Sequence, residues 1–225
     1  PSWVGVRPPR TRSDAGPTYP KSRFLTLTFD VRRRESVEEA IDSLPDEWQA
    51  IDTLINNAGL AVGLEPLHEG DPDDLERMID TNIKGLLYVT RAVAPGMVAR
   101  RAGHIVNLGS IAGREVYPGG AVYCATKHAV RALSQGMRQD LLPYGIRVSL
   151  ICPGAVETEF SIVRFKGDNQ RAASVYDGYT PLTADDIART IRFTLAAPVH
   201  VDLQDILVMP TAQADARTIH RTPKG

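Results

Sequence analysis

Tyr123 and Lys127 stand four residues apart in a stretch, Gly119 to Leu142, whose pattern predicts a helix. One helical turn separates them, so phenol and ammonium share a face. A cation beside a phenol favours the phenolate, which would bring the tyrosine down from about 10 toward the working pH and make it a general acid/base. A bare Tyr-x-x-x-Lys also occurs on ordinary amphipathic helices, so its meaning depends on its surroundings. Those surroundings are unusual. Asp30, Asn56-Asn57-Ala58-Gly59, Gly109-Ser110 and Pro153-Gly154 each come after a β-like run.

The elements that must position these groups alternate. Phe24 to Phe29 is β-rich, and Ser36 with Glu39 forms a capping box that opens a helix to about Leu44. Ile51 to Ile55 is the next strand. Asp71-Pro72 supplies an N-cap and a first-turn proline for a long helical stretch reaching about Arg101. Ile105 to Leu108, Ile146 to Ile151 and Asp205 to Met209 are further strands, and Thr183 with Asp186 caps a helix to about Ala196. Strands separated by helices of this length require right-handed crossovers, which predicts an α/β, Rossmann-like doubly wound sheet, mostly parallel, of about five strands. Ligands of such sheets sit beyond the carboxyl ends of the strands, where the polar and glycine residues fall.

Composition excludes several classes. The chain has 225 residues, 43% hydrophobic, and a formal net charge of -1, which argues against a protein that clamps a polyanion. No apolar run is long enough for a membrane helix, and no apolar core follows the basic residues at the start. Cys124 and Cys152 are the two cysteines, without Cys-x-x-Cys spacing, so a reducing cytoplasm is the expected compartment. The five histidines lack metal-ligand spacing, and no metal is expected.

Asn56 to Gly59, Thr81-Asn82-Ile83-Lys84-Gly85, Gly109-Ser110, Tyr123 with Lys127, and Pro153-Gly154 followed by Thr158 occur in this order on the α/β alternation. Over residues 24–225 the chain resembles the short-chain dehydrogenase/reductase family. Asn57 to Pro66, Arg91 to Met97, Thr158 to Phe160 and Val163 to Asp168 are similar to its NADP-dependent 3-hydroxy acid (serine/allo-threonine) dehydrogenases. The resemblance implies Tyr123 as proton donor to a carbonyl or acceptor from an alcohol. Lys127 would lower its pKa and hold the nicotinamide ribose, Ser110 would bind the substrate oxygen, and Asn82 would kink its helix and hold a water of a proton relay. Asp30, Val31, Asn57, Ala58 and Gly59 fall at adenosine-contacting positions, and Pro153, Gly154, Val156 and Thr158 at positions lining the nicotinamide. NADP is the implied cofactor, with NAD the alternative. The implied partner is a small-molecule substrate, a 3-hydroxy or 3-oxo acid or similar alcohol or carbonyl, and the implied assembly is a homo-oligomer, tetramer or dimer. Arg164 and Lys166 are candidates for meeting the substrate's carboxylate.

One part of the family pattern is missing. The family opens with a βαβ whose glycine-rich turn presents backbone N–H groups to a pyrophosphate. A βαβ takes about 30 residues, whereas only 23 precede Phe24. Those 23 carry five prolines, five basic residues and one acid, with no apolar periodicity. They are expected to be an irregular arm on a domain, residues 24–225, that lacks its first βαβ through truncation or a shifted reading frame. Loss of the first strand is then expected to leave a gap or to make Phe24 to Phe29 pair directly with Ile51 to Ile55, and loss of the helices over one sheet face to expose apolar surface, with instability or self-association as consequences. The alternative function is a fragment that binds no cofactor and acts at most as an oligomerisation subunit. Nucleic-acid binding by the arm is disfavoured, because Trp3 and Tyr19 are its only aromatics.

Overall fold

The computed structural model describes residues 25–222. The expected arm of residues 1–23, together with Phe24, lies outside them. Along the described chain run α1 (Arg34–Asp42), β1 (Thr53–Asn56), α2 (Pro72–Ile79), a π-helical segment (Asp80–Gly85), α3 (Leu86–Arg100) and β2 (Gly103–Leu108). There follow α4 (Ala121–Leu141), β3 (Ile146–Pro153), β4 (Val156–Glu157), α5 (Glu159–Arg164), α6 (Asn169–Ser174), β5 (Leu182–Thr183), α7 (Ala184–Leu195) and β6 (Asp205–Val208).

β1, β2, β3 and β6 form a parallel sheet in that order, with Asn56 beside Asn107, Leu108 beside Ile151 and Pro153 beside Val208. Alternation along each strand divides its side chains between two helical layers. Ile105, Val148 and Leu150 pack toward α3 and α4, against Val93, Met97 and Val130. Val106 and Ile151 point the other way, onto Ile187, Ile191 and Leu195 of α7. The sheet is therefore wound on both faces, as its apolar strands predict.

The helix starts show how local sequence sets the frame. Asp71 caps α2 by accepting the Asp73 N–H at 3.0 Å, with Pro72 at the first position. Thr183 and Asp186 form a reciprocal capping box on α7. At α1 the expected cap is displaced. A turn from Asp30 to Arg33 lets the helix begin at Arg34 with Arg33 as N-cap, so Ser36 lies inside it and accepts the Asp30 N–H at 3.4 Å.

The first expected strand is also corrected. Residues 25–29 form no strand, and only Asp30 makes a single bridge. Among the described residues the sheet has four strands rather than about five. Phe29 packs instead with Val31, Val37, Leu54 and Ala58 beneath α3. β1 pairs only with β2 among the described residues, and its Ile55 is 40% exposed, so the expected exposure of apolar surface is present at this edge. No described helix is long and apolar enough to cross a membrane.

Candidate functional site

The site lies where β1 and β2 end and α4 begins. Asn56, the last residue of β1, is buried and donates to Thr90 Oγ1 at 3.0 Å and to Asn107 Oδ1 at 2.9 Å. Asn107 in turn donates to Ser134 Oγ at 2.9 Å. This polar chain ties β1 and β2 to α3 and α4, and a satisfied network of this kind fixes one packing of the core. Sequence reasoning missed Asn107, Thr90 and Ser134. The available signal was an asparagine inside an apolar strand, which cannot be buried without partners.

Beyond Asn56 the chain turns through Asn57, half-buried Ala58 and Gly59. A Cβ on Gly59 would lie 3.3 Å from Asn82 Oδ1 and 3.5 Å from Lys127 Nζ, so this bend, the helix interruption and α4 meet at one point. Asn82 sits in the π-helical segment between α2 and α3. Its amide is committed to protein partners. Oδ1 accepts the Leu60 N–H at 2.9 Å, while Nδ2 donates to the Leu60 carbonyl at 2.8 Å and to Thr126 Oγ1 at 3.0 Å.

Ser110 follows β2 and caps the short turn Ile111–Gly113, accepting the Ala112 N–H at 3.1 Å. That turn packs on α4 so closely that a Cβ on Gly113 would stand 2.6 Å from the Lys127 carbonyl oxygen. Glycine at 113 thus sets the distance between Ser110 and the helix carrying Tyr123. Both Tyr123 and Lys127 are buried.

Both groups are shifted chiefly by burial. Burial pushes the phenol up, while Ser110, which faces it, and Arg164 work in the opposite sense. Lys127 donates to the Leu108 carbonyl at 2.8 Å, and burial brings its own pKa down to about 8. The pair presents a protonated phenol and a readily deprotonated amine, side by side.

Phe160 packs against Tyr123 with ring centroids 5.6 Å apart, and Thr158, the N-cap of α5, accepts the Phe160 N–H at 3.3 Å. Arg164, at the end of α5, lies over both the Tyr117 and Tyr123 rings, whereas Lys166 pairs with Asp74 at 2.6 Å. A shallow cleft opens on Tyr123, with Val62, Gly63, Met78 and Gly119 in its walls and Glu65 and Asp74 on its acidic side.

The remaining sites are placed as follows. Asp30 is held by Arg32 through a 2.6 Å ion pair, which lowers its pKa, and Val31 is core, packed on Gly85 and sharing a cluster with Ala58. Pro153 ends β3. Gly154 lies close against Gln213, whose Oε1 accepts the Ala155 N–H at 2.8 Å. Val156 packs into the α7 layer, away from the Tyr123 cluster. No group of described residues forms a metal-ligand cluster.

A short chain dehydrogenase family model matches residues 11–169. The chain is 50% identical over 200 residues to the NADP-dependent 3-hydroxy acid dehydrogenase YdfG of Salmonella typhi, covering 88% of this chain and 81% of that protein. It is 45% identical to the NADP-dependent 3-hydroxy acid dehydrogenase of Schizosaccharomyces pombe, covering 88% and 76%. A solved structure described as the closed form of serine dehydrogenase complexed with NADP+ is similar with a TM-score of 0.83 and 48% identity, over 87% of this chain and 80% of that one. Agreement in sequence and backbone over this length leaves one conclusion: the chain belongs to the short-chain dehydrogenase family.

Proposed function

We propose that the chain interconverts a 3-hydroxy acid and its 3-oxo counterpart with NADP(H), using Tyr123 as general acid/base. The observation that carries this reading is the buried cluster of Ser110, Tyr123, Lys127 and Asn82 at the open ends of β1 and β2. When bound, the nicotinamide supplies or accepts the hydride. In reduction, Tyr123 gives its proton to the carbonyl oxygen. Burial keeps the phenol in the donor form needed for this. Ser110 accepts the Ala112 N–H and faces Tyr123, so a substrate oxygen between them would meet both hydroxyls.

The donor set suits NADP on its nicotinamide side. Lys127 is a buried ammonium whose protein hydrogen bond is to one carbonyl, so its other N–H groups suit neutral ribose hydroxyls. Asn57, Ala58 and Gly59 would border the cofactor from β1, Asp30 and Val31 from the loop before α1, and Pro153, Gly154 and Thr158 from β3 and the start of α5. Asn82 braces Leu60 and Thr126 beside Lys127 and so holds the lysine's surroundings in place. NADP in preference to NAD is supported by the names of the relatives.

A second reading, an interaction subunit that binds no cofactor, is supported by the exposed Ile55 at the β1 edge. Exposed Phe193 on α7 and Leu207 on β6 also fit a homo-oligomer, and the two free cysteines fit a cytoplasmic setting. NADPH fluorescence titration separates the two readings: saturation supports the enzyme, and no response supports the subunit. Turnover of 3-hydroxypropanoate or malonic semialdehyde by the wild type, reduced by about 100-fold or more in Tyr123→Phe with NADPH affinity retained, then tests the acid/base role.

A further inference from the structure

Given a 3-hydroxy acid as substrate, its carboxylate needs a cation near the phenol, and two cations follow Phe160. The chain separates them. α5 ends at Arg164, and Lys166 adopts a left-handed conformation, φ 54°, followed by Gly167 at φ 94°, so the backbone reverses there. The reversal sends Lys166 outward to α2, where Asp74 takes its ammonium at 2.6 Å. Asp71 and Glu65 also face that lysine. Its charge is answered by protein carboxylates.

Arg164 is arranged differently. Its guanidinium carbon lies 5.7 Å from the Tyr123 ring centroid and 5.4 Å from that of Tyr117. Nη2 donates to the Tyr117 hydroxyl at 3.0 Å and Nε to the Gly63 carbonyl at 3.4 Å. The Arg164 carbonyl accepts the Gly63 N–H at 2.9 Å, which fastens this end of α5 to the loop after β1. Among the described residues Nη1 makes no hydrogen bond, and no carboxylate lies within ion-pairing distance of the group. A half-buried guanidinium between two aromatic faces keeps its planar fork oriented, and a carboxylate is the partner that such a fork matches.

We propose that Arg164 is the specificity-determining residue that receives the substrate's carboxylate beside Tyr123, with Tyr117 as the residue that positions it. Lys166 has no part in recognition. This assignment rests on the function proposed above and is tested separately from it.

The experiment compares 3-hydroxypropanoate with its methyl ester, read as NADP+ reduction and as calorimetric binding to protein saturated with NADP+. In Arg164→Met, kcat/KM for the acid falls by about 100-fold, mainly through KM, while the ester changes by less than about threefold. Arg164→Lys, which keeps the charge but not the fork, recovers part of the loss. Lys166→Met leaves both compounds unchanged. An equal loss on acid and ester in Arg164→Met, or a loss for the acid in Lys166→Met of the same size, overturns the assignment. If the wild type reduces NADP+ with neither compound, the proposed function fails and calorimetry still decides about Arg164. Acid binding that exceeds ester binding and is lost in Arg164→Met upholds it, whereas acid binding that is absent or no tighter than ester binding overturns it.

Discussion

Lys127 directs its ammonium at the Leu108 carbonyl, 2.8 Å away, while the ring centroid of Tyr123, one helical turn earlier, lies 6.0 Å from the same nitrogen. The two side chains share a helical face, and Lys127 ties α4 to the end of β2, the strand that delivers Ser110. Burial is the chief cause of the shift in both groups.

A directional pH dependence follows. With the Tyr123 pKa raised, the proton-donating form predominates through neutral pH, so kcat/KM for carbonyl reduction should stay flat between about pH 6 and 8. Alcohol oxidation needs the deprotonated form and should climb by up to about tenfold per pH unit above neutrality. Steady-state rates in both directions check this. An oxidation rate already at its plateau at pH 7 would show that the phenolate forms readily.

The buried ammonium should cost stability. The folded-state pKa of Lys127, about 8, lies below the ordinary 10.5, so between these values the unfolded chain binds more protons and the fold gains stability as pH rises. Below pH 8 the charged form opposes folding by on the order of 3 kcal/mol. Lys127→Met should therefore raise Tm at pH 7 in the absence of cofactor, with the difference shrinking toward pH 10. A variant less stable than wild type at pH 7 would contradict this.

Gly113 should matter to catalysis although it carries no functional group. An added Cβ would press on main-chain atoms of Lys127, at 2.6 Å from O and 3.0 Å from C, and a helix backbone cannot swing aside. The turn must shift instead, and the Gly113 N–H donates to the Ser110 carbonyl at 2.9 Å. Gly113→Ala should cost about 1–3 kcal/mol, measured by urea unfolding. It should also lower kcat by about tenfold or more with NADPH affinity retained, because small misplacements of a reacting group are expensive. Unchanged kcat would show that Ser110 placement does not depend on this contact.

His104 provides an acid-side test. It is buried in β2, with Nε2 and Ser149 Oγ 2.8 Å apart and Nδ1 without a hydrogen-bond partner among the described residues. Burial, then Arg147, brings its pKa down to about 4. The unfolded chain binds more protons between about 4 and 6.5, so stability should fall as pH drops through that window. His104→Asn should flatten the fall, as measured by chemical denaturation at pH 7, 5.5 and 4.

Legibility in the sequence followed the range of the forces involved. Thr183 with Asp186 and Asp71-Pro72 announced their helix starts because a cap is settled within four residues. The apolar strands Gly103–Leu108 and Ile146–Pro153 announced themselves by composition. Ser36 misled because Arg33 begins its helix one turn earlier, anchored by Asp30. Residues 25–29 misled because β propensity needs a neighbouring ladder, and Phe29 is drawn under α3 instead. The order of Ser110, Tyr123 and Lys127 was readable, but the direction of the Tyr123 shift was not, since it depends on burial, to which Phe160 contributes from a distant segment.

Asn82 joins the two levels, and its removal should be the most costly of these changes. The side chain is 1% exposed and holds both main-chain groups of Leu60 as well as Thr126 Oγ1. Asn82→Ala leaves these buried groups without their amide partner, at about 1–3 kcal/mol for each left unsatisfied. A total loss of roughly 3 kcal/mol or more in urea unfolding is expected. Thr126→Val deletes one member of the network and leaves both Leu60 contacts intact, so it should cost less. The double variant should cost less than the two single losses combined, because they share a bond. Strict additivity would mean that Asn82 and Thr126 act separately, and an unchanged unfolding midpoint in Asn82→Ala would mean that the π-helical segment holds its shape without this side chain.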